Sequence, residues 1–169
     1  MTMSATKQAI LGDLDHELAN TRRVLERAPD DQYDWRPHDK SFSLGQLCAH
    51  LQNILFWQRT ILEQDGFDLG ASPPPRTVPK DTAELLRLFD EQKQKLDEVI
   101  ANTEDTAFGE PWTLRHGDQV IFTMPRAAVM RGMGISHMVH HRGQLSVYLR
   151  LLDVPVPAIY GPSADEQTF

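Results

Sequence analysis

One cysteine among 169 residues leaves this sequence without any internal disulfide. It also lacks a long apolar run, the longest being a few residues, against the ~20 that a bilayer span needs. The opening MTMSATKQAI carries no apolar signal region, so a cytoplasmic protein that engages no membrane is expected. Positive charge is in deficit, with 17 Lys and Arg against 24 Asp and Glu, for a net charge of −7. Broad electrostatic binding to nucleic acid or to anionic lipid needs a basic footprint, and both are disfavoured. Missing as well are the phosphate loops G-x-x-x-x-G-K and G-x-G-x-x-G, the G-x-S-x-G elbow, H-E-x-x-H, and any internal repeat. What is present is an ordinary globular balance, 40% hydrophobic and 24% charged. The expectation is one soluble domain over residues 1–169, large enough to hide roughly two-thirds of the surface its unfolded chain exposes. Composition alone does not account for the seven histidines.

Hydrophobic periodicity predicts helix over most of the chain. Ile10, Leu11, Leu14, Leu18, Thr21 and Leu25 recur every three or four residues, a single apolar stripe that predicts a helix over about 4–28, stopped by Pro29. Ser43 with Gln46 is a capping-box signature, and Leu44, Leu47, Leu51, Ile54, Leu55 and Leu62 continue the stripe over about 43–64. Four prolines in ASPPPRTVP make a loop. Asp81 with Glu84 opens a third helix over about 80–103, on the stripe Leu85, Phe89, Gln92, Leu96, Val99 and Ile100. Around Gly117 the pattern alternates, from Trp112 to Leu114 and from Val120 to Phe122, which predicts a short β-hairpin. Pro125 suits the first turn of a fourth helix over about 125–152, followed by a non-helical arm over 153–169. Four amphipathic segments of this length predict an all-α four-helix bundle. The two middle connections run to about fifteen residues or more, so a long crossover is at least as well supported as simple up-and-down wiring.

The histidines separate by position. His137 and His141 are four apart, so they share a helix face with Met130, Gly134, Gln144, Tyr148 and Leu152, which points largely inward. Two imidazoles on such a face are costly to bury unless something satisfies them, and a divalent metal is the commonest solution. His140 is three residues from His137, so spacing alone permits either pair. A third ligand is needed, and His50, at the stripe edge of the second helix, is the best candidate. The plainer reading of His50 is a half-buried ring bonded to a backbone carbonyl. His16, His38 and His116 have solvent, loop and turn positions. Cys48 lies about 160° around the helix from His50 and reads as a small core residue. Tyr148, Gln144 and Trp57 are within range of the site, although such spacings are more often plain packing. Arg142 turns away from the histidine face, which predicts a surface or dimer role.

The stretches SFSLGQLCAHL (41–51), PWTLRHGDQV (111–120), HMVHHRGQLSVYLR (137–150) and VPVPAIYGPSADE (154–166) resemble the DinB-like family of small metalloproteins over nearly the whole chain. The H-x-x-x-H-R-G-Q-L motif is the specific part. Carried over by position, the resemblance implies a metal triad of His50, His137 and His141, and a four-helix bundle wired up-down-down-up. It also implies nickel or zinc as the ion and a homodimer as the assembly. Family members include proteins induced by stress or DNA damage, thiol S-transferases using low-molecular-weight thiols, and a mycothiol-dependent maleylpyruvate isomerase. Three neutral imidazoles without a carboxylate leave open positions on a 2+ ion, as catalytic sites do. Two classes of function follow. One is a metal-dependent enzyme acting on small molecules, of the thiol S-transferase type or a hydrolase, with a small thiol as cosubstrate. The other is a non-enzymatic metal-binding or stress-related protein.

Overall fold

The computed structural model describes residues 5–71 and 77–167. Residue 4 of the expected first helix, positions 72–76 of the proline-rich loop and the last two residues of the arm lie outside the described residues. Helix α1 spans Ala5–Leu25, α2 Leu44–Glu63 and α3 Thr82–Asn102, each close to its expected bounds. The first helix stops short of 28 because its last turn tightens. Arg27 and Ala28 donate to the carbonyls of Val24 and Leu25, and the residue before Pro29 is held out of the helical region. Ser43 closes a full capping box with Gln46. At α3, Asp81 accepts from the Glu84 amide, while the Glu84 carboxylate reaches back to the Lys80 amide, one residue ahead of the cap.

The fourth helical rod differs from a regular α-helix. It begins as α4 (Arg126–Val129), winds into a π-helical stretch over Met130–Ser136, and resumes as α5 (His137–Leu151). Gly134 sits in that stretch against Gln58 of α2, whose amide nitrogen donates to its carbonyl at 3.1 Å. A Cβ there would press on the Met130 sulfur and the Gln58 side chain. The wide turn therefore lies packed against α2.

Side-chain bonds fix the directions of the rods. Thr82 at the start of α3 bonds Asp30 and Tyr33, and the Tyr33 carbonyl accepts from the Gly45 amide at the start of α2, so α2 and α3 start at the same end. Arg22 near the end of α1 pairs with Asp90 early in α3, which makes those two antiparallel. The buried Arg126 guanidinium donates to the carbonyls of Ile61 and Gln64 and pairs with Asp65, locking the start of the fourth rod to the end of α2. The result is the up-down-down-up bundle, and the path from α2 to α3 is its long crossover.

The hairpin pairs β2 (Pro111–His116) with β3 (Gln119–Pro125), turning at Gly117, whose φ of +57° lies in the left-handed region. A third strand, β1 (Gly66–Asp68), adds parallel to β2 inside the crossover. Sequence reasoning gave no sign of it, because three residues show no periodicity and their partner lies far along the chain. Asp68 ties the two together: its Oδ1 accepts from the Gly117 and Gly70 amides at 2.9 Å. Those donors hold its carboxyl below the usual range. Trp112 from β2 and Phe108 join Leu14, Leu51, Phe89 and Leu145 in one buried core, where each large side chain stabilises the fold by roughly 1.5–3 kcal/mol.

The arm over 153–167 has no regular secondary structure, as expected, but it is pinned. Glu166 pairs with Arg23 and Arg27, Asp165 pairs with Arg150, and Ala158 is fully buried. Arg142 is where expectation and structure part. Its side chain is 4% exposed and pairs with the Glu17 carboxylate at 2.6 Å. The Tyr160 hydroxyl accepts from Arg142 at 2.5 Å and donates to Glu17 at 2.7 Å. Facing away from the histidines means facing α1 and the arm, so Arg142 is an interior clamp and not a surface group.

Candidate metal centre

His50 reaches the centre from the middle of α2, and His137 and His141 reach it from the first turns of α5, just after the π-helical stretch. Wide turns of that kind occur often at functional sites because they re-aim the side chains that follow. The three rings present ligand nitrogens that all lie within 4.8 Å of one another. They meet through Nε2: His137 is 3.2 Å from His50 and 2.9 Å from His141. Among the described residues this cluster of ligand-type side chains has three members, all imidazole and all half-buried. Tetrahedral zinc, with Zn–N near ~2.0–2.1 Å, sets neighbouring nitrogens roughly 3.3 Å apart, close to the separations seen here. The cluster could hold a metal ion.

Hydrogen bonds on the outer edges orient two of the rings. The Nδ1–H of His141 donates to the Gln144 amide oxygen at 2.7 Å, which leaves its Nε2 lone pair facing the centre. His137 bonds the Met133 backbone one turn back. Burial pushes the His137 ring below its ordinary value of 6.5, aided by the neighbouring His141 and His140. Burial does the same to His141, against the opposing pull of Gln144. Both rings therefore favour the neutral form, the one that binds metal.

The other candidates fall elsewhere. His140 is exposed, its ring 4.8 Å from that of His141. His16, His38 and His116 are exposed too. Cys48 is fully buried in the core, and burial pushes its thiol up to about 12. Trp57 packs on Phe67 in the core. Gln144 does more than pack, and its i+3 spacing from His141 was the available signal. Phe42 has no periodic signal, since it precedes the helix, yet its ring stands 5.6 Å from that of His50.

Comparison with known proteins gives the same picture of the fold. The crystal structure of a DinB-like protein from Bacillus cereus ATCC 10987 superposes with a TM-score of 0.70 at 18% identity, covering 90% of this chain and 97% of that one. A DinB-like protein from Bacillus subtilis, YjoA, gives 0.69 at 17% identity over 95% and 99%. YfiT from Bacillus subtilis, described as a probable metal-dependent hydrolase with an unusual four-helix bundle topology, gives 0.61 at 19% over 90% and 91%. No curated protein matches the chain. At these identities the structures show a common fold. The sequence itself matches the DinB superfamily profile over residues 13–145, most of its length, and the chain belongs to that superfamily.

Proposed function

We infer that this chain is a divalent-metal-dependent enzyme acting on a small molecule, with His50, His137 and His141 holding nickel or zinc. The observation that carries this reading is the convergence of three histidines whose ligand nitrogens lie within 4.8 Å of one another, with no fourth ligand-type side chain in the cluster among the described residues. Structural zinc sites close with four protein ligands, whereas catalytic ones keep a position open. When bound, such an ion supplies Lewis acidity, lowering the pKa of a coordinated thiol or water. The chain's own contribution is to orient the rings through Gln144 and Met133 and to keep them neutral by burial.

The reaction we assign is transfer of a low-molecular-weight thiol to an electrophile. The sulfur has to arrive from outside, because Cys48 is the sole cysteine and is buried, with its thiol pushed up to about 12. Hydrolysis through the same three ligands is the second reading, favoured by the description of YfiT. The exposed Val147 and Leu151, one turn apart on α5, support a homodimer; we propose the cytoplasm as its location.

Elemental analysis of the purified chain is expected to find about one divalent ion per chain. His50→Ala, His137→Ala and His141→Ala are each expected to abolish it, and retention by all three overturns the assignment. The metal-loaded chain is then assayed with bacillithiol, mycothiol or glutathione and model electrophiles. Metal-dependent thiol consumption supports the S-transferase, thiol-independent ester or amide cleavage supports the hydrolase, and binding with no turnover favours a non-enzymatic role.

A further inference from the structure

We propose that Phe42 is the specificity-determining shelf of the metal centre and selects small molecules carrying an apolar aryl group. The proposal names the substrate class of the site described above and rests on that reading. Phe42 is 47% exposed, yet its position is fixed from several sides. The next residue, Ser43, is held in the capping box of α2, through its own amide and its hydroxyl. The Tyr148 hydroxyl donates to the Phe42 carbonyl at 3.1 Å. Tyr148 is itself braced edge-on by Trp35, at 5.6 Å between ring centroids. The Leu44 amide in turn donates to the Trp35 carbonyl at 2.8 Å. The Phe42 backbone is thus held by Tyr148 and the capping box, and its ring, half in solvent and tilted 43° against a histidine of the triad, forms a wall beside the site.

The chemistry of that wall is apolar. A ring face offers dispersion and edge-to-face contact to another ring. A substrate whose reacting atom lies at the triad would set its next few atoms alongside Phe42, whose ring stands against His50.

The test uses the full chain loaded with cobalt(II), whose visible spectrum reports coordination directly. 2-Phenylethanethiol and ethanethiol present the same sulfur with and without a ring. The wild-type chain is expected to bind the aryl thiol about tenfold more tightly, as followed by the thiolate-to-cobalt absorption. Phe42→Ala is expected to bring the ratio down by about fivefold or more, and Phe42→Leu to lie between the two. Phe42→Leu also guards against loss of the loop's fold, which far-ultraviolet circular dichroism checks in both variants. A ratio near unity in the wild type overturns the shelf, as does a ratio that neither variant changes. In both of those cases the metal assignment stands, because the cobalt spectrum is present. A chain that takes up no cobalt overturns the metal centre and the shelf together.

Discussion

Three imidazoles that face one another through Nε2 raise a question of proton placement. His141 gives its Nδ1 proton to Gln144, so its Nε2 is a bare acceptor when the ring is neutral. His137 bonds the Met133 backbone on its other side and turns a single Nε2 to both partners, so bare acceptors crowd the centre. A metal cation at the centre would satisfy all three nitrogens at once, whereas a proton bridges only two. The sign of the pH effect in the metal-free chain follows. Both His137 and His141 titrate below 6.5 in the folded state, while the unfolded chain takes up protons near 6.5. Their contribution is intact above that pH and is lost as pH falls below it towards their folded values. Thermal unfolding of the metal-free chain is therefore expected to shift to lower temperature as pH drops from 7.5 to 5.5. The double variant His137→Gln, His141→Gln is expected to flatten that slope, and an equal slope in both chains refutes the argument.

At the level of elements, the strand β1 and the π-helical stretch both depend on a glycine that permits close approach. A Cβ added to Gly66 would collide with the Thr113 carbonyl oxygen in β2, and backbone cannot yield as a flexible side chain can. Gly66→Ala is expected to cost about 1–3 kcal/mol in a denaturant titration, with the hairpin and the triad retained. A loss of metal uptake with the same substitution would show that β1 and the site are coupled, contrary to this view. Gly134 differs, because what crowds it are the Met130 and Gln58 side chains. The capping box at Ser43 was legible because its partners are three residues apart. The strand β1 was not, since the residue types that make it carry no period and its register is set by a distant segment.

Across the whole molecule, the fourth rod is joined to α1 by a buried ion pair that the arm bridges. Arg142 and Glu17 have side chains 4% and 11% exposed, and the Tyr160 hydroxyl bridges them. Removing one partner strands the other charge in a desolvated place. Arg142→Met is expected to destabilise the chain by roughly 3–5 kcal/mol, and the pair Arg142→Met, Glu17→Met to recover part of that loss. Urea unfolding measures both; a change below about 1 kcal/mol for the single variant means the clamp contributes little. Limited proteolysis is expected to cut the arm of Arg142→Met faster than that of the wild type.

The sequence by itself determined four helices, the hairpin and the core stripe, because a helix buries one face of itself and writes that face at intervals of three and four residues. It also brought out His137 and His141, whose spacing is local. The family resemblance implied that His50 joins them and His140 does not; the tertiary structure brings the three nitrogens within 4.8 Å, leaves His140 exposed and buries Arg142. Each of those outcomes depends on which rods are neighbours and on how a π-helical turn shifts the phase of α5. A sequence period records how far a side chain points from a helix's own core face. What stands opposite that side chain belongs to a different part of the chain, and packing alone brings the two together.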